Sequence, residues 1–263
     1  MTGTVQLPVF ATFKWGKGYP ADYTNTLFRA LRDLNARPFR FVSVTDDPDG
    51  LAEGIEVIPL PAFRLERENW NGGKWPKLSI FAPGLFSVGT PVILMDVDVV
   101  VLGDLMPMID RITETPGLHI IHNWPNAPEQ WFPKLFNTNK RSNSSVVGFV
   151  AGQQDDIWNA FHEAEFAALD RERNDQEFIH NRANNRFYWP DGWVLSFKKN
   201  VAWHFPLNLF LSISRPEGLI VCFHGKPDPH DLAGPPFRFW GTKGKFGFFP
   251  VRWVKEYWLK YAS

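Results

Sequence analysis

The chain has 263 residues, and its 28 lysines and arginines balance its 28 aspartates and glutamates. A formal net charge of zero argues against a general nucleic-acid-binding protein, and no apolar run approaches the roughly 20 residues of a membrane-spanning helix. The single cysteine, Cys222, excludes an internal disulfide and a zinc site built from cysteines. The first four residues lack a basic segment and an apolar signal core, so we expect a cytoplasmic protein.

Short apolar segments alternate with amphipathic ones from the N-terminus onward. Residues 7–12 predict a strand, and residues 21–35 predict a helix because their apolar side chains recur on one face. Strands are also predicted at 39–45, before an Asp-Asp-Pro-Asp-Gly turn, and at 55–60, where prolines end the segment. A short helix is predicted at 76–86.

The same alternation continues through the second half of the chain. The predicted elements there are strands at 92–101, 118–122, 145–151 and 219–223, a helix at 155–169 and an amphipathic segment at 250–261. This order predicts an α/β fold with a mainly parallel central sheet and helices on both faces. Neither a linker nor an internal repeat is evident, so we expect one domain over residues 1–263. Ligands of such folds bind beyond the carboxyl ends of the strands.

Two carboxylates interrupt the apolar segment at 92–101. A buried, unpaired carboxylate is costly unless a cation or hydrogen-bond donors meet it. Because residues i and i+2 of an extended strand face the same side, Asp96 and Asp98 can approach one divalent ion. The alternative is that the strand ends here and both side chains are solvated or cap a turn. No turn residue follows until Gly103, which favours a metal or phosphate role.

A histidine, a glycine and a lysine follow the predicted strand at 219–223. Imidazole binds transition-metal ions such as Mn²⁺ together with carboxylates, so His224 is a candidate ligand. Gly225 permits close approach of the backbone, and Lys226 can neutralise a diphosphate. The alternative is that His224 is a structural residue. The presence of Asp96 and Asp98 favours the ligand role.

These motifs resemble those of the nucleotide-sugar glycosyltransferases of the GT-A fold, most closely family 8, the glycogenin and lipopolysaccharide galactosyltransferase type. Asp96-Val97-Asp98 is similar to the family's metal-binding D-x-D motif. His224-Gly225-Lys226-Pro227 resembles its late H-x-G-x-x-K-P-type segment, although the lysine here follows the glycine sooner. The resemblance covers residues 7–229 and depends on the order of five segments. It implies a single GT-A-like domain.

The resemblance also implies which residues form the site. A Mn²⁺ or Mg²⁺ ion would be held by Asp96, Asp98 and His224. Asp175 and Gln176 resemble the family's D-Q pair beside the sugar and acceptor, and with Lys226 they are the expected catalytic residues. The expected donor-binding residues are Phe10, Thr12, Tyr19, Asp46, Lys77, Asp96, Asn143, Ser144 and Lys226.

The implied activity is metal-dependent transfer of a sugar from a nucleoside-diphosphate sugar, UDP-linked by default, to a glycan, lipid or protein acceptor. The resemblance implies retention at the anomeric carbon, whereas an inverting enzyme would need Asp175 or Asp191 as a base. A nucleotidyltransferase also pairs acids with a metal, but residues 14–18 are basic without a P-loop pattern. A carbohydrate-binding protein using its tryptophans would leave Asp96 and Asp98 unexplained.

We expect three parts within the domain: a nucleotide-binding half at 1–103, a donor-sugar and acceptor half at 104–230, and an aromatic-basic extension at 231–263. The extension mixes cations with aromatic rings, which is typical of contact with an anionic membrane surface. Core packing with lysines that extend their charged ends into solvent gives the same pattern. Peripheral membrane contact is therefore one of two interpretations of this segment.

Overall fold

The structure is a computed structural model that describes residues 6–62, 70, 74–124, 142–163, 171–204, 206–237, 239–240 and 247–262. Its strands are β1 (Val9–Lys14), β2 (Arg40–Thr45), β3 (Glu56–Ile58), β4 (Pro91–Met95), β5 (Val99–Val101), β6 (Leu118–His122), β7 (Ser142–Val150), β8 (Arg186–Tyr188), β9 (Val194–Ser196) and β10 (Ile220–Cys222). Its α-helices are α1 (Ala21–Leu34), α2 (Met106–Glu114), α3 (Asp155–Glu163), α4 (Asp175–Arg182), α5 (Pro229–Ala233) and α6 (Arg252–Tyr261). Shorter helical turns occur at Trp75–Phe81, Phe197–Val201 and Leu207–Leu209.

The strands form two sheets. The large sheet has the order β3-β2-β1-β4-β7-β6-β8, and the small one has the order β5-β10-β9. In the large sheet β7 runs antiparallel to both of its neighbours, while the remaining pairs are parallel. The prediction of an α/β fold with a mainly parallel central sheet is confirmed.

Alternation along β1 explains why helices cover both faces of the large sheet. Phe10 is fully buried in a core cluster that also contains Leu27 of α1 and Ile109 of α2. Ala11 faces the other side, in a cluster with Phe161 of α3 and residues of α4. A third cluster joins the small sheet to α5 and α6.

The prediction of one continuous strand at 92–101 is wrong. β4 ends at Met95 and β5 begins at Val99 in the other sheet. The backbone N–H of Asp96 still donates to the Ser145 carbonyl of the large sheet (2.9 Å), whereas the Asp98 carbonyl accepts from Phe223 N–H beside the small one (3.3 Å). The chain therefore changes sheets across the two carboxylates, and they lie in a turn rather than on one face of a strand.

Smaller differences concern the helices. The helix predicted at 76–86 is a 3₁₀-helix over Trp75–Phe81, and the one predicted at 155–169 is described only over Asp155–Glu163, since residues 164–170 lie outside the described part. α2, α4 and α5 were not predicted. Among the helices described here, none is long and apolar enough to cross a membrane.

Candidate active site

A cleft of about 410 Å³ opens where β1 and β4 end. Both strands run parallel, so their carboxyl ends meet at one edge of the sheet. The antiparallel strand β7 starts at the same edge, because Met95 pairs with Val146. Nine of the residues predicted from the sequence line this cleft: Tyr19, Lys77, Asp96, Asp98, Asn143, Ser144, Asp175, Gln176 and His224.

Lys77 links three of the elements around the cleft. Its ammonium donates to Asp96 Oδ1 (2.5 Å) and to the carbonyl oxygen of Ser144 (2.7 Å). Ser144 Oγ in turn donates to Asp175 Oδ2 (2.7 Å). Burial works against the charged lysine, yet the Asp96 and Asp175 carboxylates raise its pKa above the usual value. Lys77 is therefore a fixed positive charge between two carboxylates.

Asp175 is almost completely buried at the start of α4. Asn174 caps that helix by accepting from Glu177 N–H (3.0 Å), which fixes the orientation of the first turn. Burial raises the pKa of Asp175 to about 6, although Lys77 and the Ser144 hydroxyl act in the opposite direction. Within the described residues, Asp175 Oδ1 has no hydrogen-bond partner. A buried acceptor without a protein donor is costly, so this oxygen is available to a donor group that enters the cleft.

Asp98 lies among other negative charges. Burial, the Asp96 carboxylate and the Asp228 carboxylate together raise its pKa well above the usual value. Tyr19 O–H donates to Asp98 Oδ2 (3.4 Å), and burial followed by the Asp98 charge raises the pKa of Tyr19, which keeps it a neutral donor. Carboxylate oxygens crowded in this way fit a divalent cation.

His224 is held in the neutral form that binds metal ions. Burial, with Lys198 and Lys199 nearby, lowers the pKa of His224 to about 4. Its Nε2 shares a hydrogen bond with Ser196 Oγ (2.6 Å), and its ring stacks on Trp124 with centroids 5.3 Å apart. If Nε2 carries the proton, Nδ1 is left as the metal-binding atom.

The three predicted metal ligands are not clustered tightly. In the described part of the chain, the group whose ligand atoms lie within 4.8 Å of one another is Asp228, His230 and Asp231. The two carboxylates of that group already bind Lys226, and they form the capping box of α5. Asp96, Asp98 and His224 line the same cleft. Two carboxylates and an imidazole fit Mn²⁺ or Mg²⁺ chemically. Their side chains would have to move closer together to bind one ion.

Four predicted site residues do not line the cleft. Phe10 is fully buried with its ring edge-on to Phe39 (centroids 5.0 Å apart), and Thr12 is also fully buried. Asp46 accepts from Gly16 N–H (2.8 Å). Lys226 forms ion pairs with Asp228 and Asp231. Asp191, the alternative base of an inverting reaction, is exposed and also lies outside the lining.

Sequence reasoning missed several residues of the cleft wall. Lys14 is almost completely buried at the end of β1, where its ammonium forms an ion pair with the Asp47 carboxylate (3.0 Å). Trp15 lines the cleft beneath the Lys74 ammonium, which is 5.8 Å from the centre of its ring. The basic character of residues 14–18 is the sequence signal for this part of the wall.

No family model matches the sequence, and no curated protein matches it. Solved structures match over most of the chain. The galactosyltransferase LgtC in complex with donor and acceptor sugar analogues superposes with a TM-score of 0.61 and 12% identity, covering 97% of this chain and 96% of LgtC. The apo form of the glycosyltransferase GlyE of Streptococcus pneumoniae TIGR4 gives a TM-score of 0.58 and 12% identity over 98% of this chain, which spans 60% of GlyE. The chain therefore has the fold of these glycosyltransferases, and the expected GT-A-like fold is confirmed.

Proposed function

We propose that the protein is a metal-dependent glycosyltransferase that moves a sugar from a nucleoside-diphosphate sugar, UDP-linked, to a glycan, lipid or protein acceptor with retention. The main observation behind this proposal is that three carboxylates, Asp96, Asp98 and Asp175, line one cleft. The Lys77 ammonium lies beside them and donates to Asp96. The fold supports it, because LgtC was solved with donor and acceptor sugar analogues.

Asp96, Asp98 and His224 would hold the Mn²⁺ or Mg²⁺ ion. When bound, the ion supplies Lewis-acid stabilisation of the departing diphosphate. The Tyr19 hydroxyl holds Asp98 in place, and Ser196 holds the ring of His224. Once the ion is bound, these contacts would hold its ligands in place as negative charge develops on the leaving group.

Asn143, Ser144, Asp175 and Gln176 would contact the sugar. Asp175 Oδ1 accepts a hydroxyl of the donor, because this buried oxygen has no donor in the described part of the chain. Lys77 favours the ionised form of Asp175, because its charge lowers the pKa of that carboxyl against the effect of burial. Gln176, the next residue on α4, faces the reacting sugar and the acceptor.

The test is release of the nucleoside diphosphate from a panel of UDP- and GDP-sugars, with Mn²⁺, Mg²⁺ or chelator. We expect release by the wild type only with metal, and a loss of at least about 100-fold in Asp98→Asn because the interaction with the leaving group is removed. Asp22→Asn is the matched control, since Asp22 is exposed on α1 away from the cleft. Equal release with chelator, or by Asp98→Asn, contradicts the proposal.

We further propose that the enzyme is cytoplasmic and contacts a membrane peripherally through its aromatic-basic extension at 231–263. Phe237, Phe239 and Phe249 are each more than half exposed. Large rings beside cations favour binding to anionic bilayers. The measurement is cosedimentation with vesicles of phosphatidylcholine alone or with phosphatidylglycerol. Binding that requires the anionic lipid and falls in Phe237→Ser supports the contact, and no binding to either vesicle contradicts it.

A further inference from the structure

Two lysines, Lys226 and Lys198, lie beside the His224-Gly225 segment of the cleft wall without lining the cleft themselves, and they have different surroundings. Lys226, at 53% side-chain exposure, pairs with Asp228 Oδ2 (2.5 Å) and Asp231 Oδ2 (3.4 Å). Asp228 is itself buried and fixed by the capping box of α5. Moving Lys226 toward the cleft would break both ion pairs and leave a buried carboxylate without its cation, which is costly.

Lys198 contacts the segment that follows β10. Its ammonium donates to the carbonyl oxygen of His224 (2.6 Å). A Cβ placed on Gly225, which lines the cleft, would lie 3.5 Å from Lys198 Nζ. Within the described residues no carboxylate lies within ion-pairing distance of Lys198, and the His224 carbonyl is its acceptor. An ammonium has three N–H groups and the His224 carbonyl uses one of them, so this half-buried cation can donate to an anionic ligand.

The fold holds Lys198 in this position. It belongs to a π-helical turn, Phe197–Val201, whose first residue stacks on Phe223 with ring centroids 4.7 Å apart. Ser196 Oγ accepts from Lys199 N–H (3.2 Å) at the start of the turn and hydrogen-bonds His224 Nε2. The turn is therefore tied to the residue that would bind the metal ion.

We propose that Lys198, rather than Lys226, donates to the diphosphate of the nucleotide-sugar donor. This inference rests on the proposed function. Phosphate oxygens are strong acceptors for a lysine ammonium, and the two groups would meet next to Gly225, beside the metal ligands. As the glycosidic bond to the diphosphate breaks, the bonding electron pair stays on the phosphate oxygen, and Lys198 would stabilise that growing negative charge.

The test is calorimetric titration of UDP and of GDP in the presence of Mn²⁺, using wild type, Lys198→Met, Lys226→Met and Lys260→Met. Lys260 is an exposed partner of Asp33 and serves as the charge control. We expect Lys198→Met to weaken binding of the nucleotide that binds wild type by about 10- to 100-fold, the effect of losing a hydrogen bond to a charged group. Lys198→Arg should recover most of the affinity, because it restores the charge.

The outcomes separate the two proposals. If wild type binds neither nucleotide, the proposed function fails. If wild type binds and Lys198→Met binds as tightly as Lys260→Met, or if Lys226→Met alone weakens binding, the role of Lys198 is overturned while the proposed function stands. Circular dichroism and thermal melting check the fold of each variant. If Lys198→Met does not fold, Lys198→Gln, which retains a polar end group, takes its place in the same comparison.

Discussion

Replacing Asp175 by asparagine should stabilise the protein at high pH while lowering its activity. The change keeps the size of the side chain, and Ser144 Oγ can still donate to the amide oxygen. It removes a charge that is almost completely buried. The expected gain in stability arises because an ionised carboxylate at this position is disfavoured in the folded state.

The magnitude follows from the pKa of Asp175, which is raised from 3.8 to about 6. Between these values the folded state binds more protons than the unfolded state, so stability falls as pH rises through this window. Ionisation of Asp175 therefore lowers the free energy of unfolding by at most about 3 kcal/mol. The full loss is reached above pH 6, and it vanishes below pH 3.8. It already includes the opposing effects of Lys77 and Ser144.

The assay is urea denaturation of wild type, Asp175→Asn and the control Asp22→Asn at pH 4 and pH 8. We expect Asp175→Asn to exceed wild type in free energy of unfolding at pH 8, with most of the difference gone at pH 4. Release of the nucleoside diphosphate should fall because the acceptor for the sugar hydroxyl is lost. An equal gain at both pH values, or no gain at pH 8, would refute the electrostatic explanation.

Two further predictions concern stability. Lys77→Met should lower the free energy of unfolding by at most about 3–5 kcal/mol, because it leaves the buried Asp175 and the partly exposed Asp96 without their cation, and the double variant with Asp175→Asn should recover part of this loss in urea denaturation. His119 is buried between Phe187 and Trp189, and burial lowers its pKa. Since the unfolded state then binds more protons at this histidine below about pH 6.5, His119 contributes a loss of stability as pH falls, and this contribution should be absent from His119→Phe over the same pH range. A pH dependence unchanged in His119→Phe would contradict this.

A third prediction concerns stereochemistry. Retention means that the first-formed product has the anomeric configuration of the donor, which NMR spectroscopy of an early reaction sample detects directly. The product of the opposite configuration would contradict retention and require a base at the acceptor. Asp175 lines the cleft and Asp191 does not, so Asp175 would then be the candidate.

The local parts of the fold were predictable from the sequence. The strand at 118–122 is observed with the predicted bounds, and the helix predicted at 21–35 ends one residue earlier, at Leu34. Apolar periodicity depends only on residues close together in the sequence, so a short segment is enough to predict a strand or a helix. Asp96, Asp98 and His224 were predicted from their place after apolar strands, and they line one cleft with six residues predicted from the resemblance to family 8: Tyr19, Lys77, Asn143, Ser144, Asp175 and Gln176.

The remaining features depend on residues far apart in the sequence. The apolar run at 92–101 gives no sign that Val99 leaves the large sheet, since that change is set by pairing with Cys222. Lys226 was an obvious cation beside His224, but its ion pairs with Asp228 and Asp231 direct it elsewhere. Lys198 lies 26 residues before His224 and reaches it through the pairing of β9 with β10.

The central claim is that Asp96, Asp98 and His224 form a metal-dependent site for a nucleoside diphosphate. Calorimetric titration of UDP into wild type and Asp98→Asn, each with Mn²⁺ and with chelator, tests it most directly. We predict binding by wild type with Mn²⁺, and affinity at least about tenfold weaker with chelator or in Asp98→Asn. Equal affinity in all four titrations, or no binding in any of them with GDP as well as UDP, would contradict the claim.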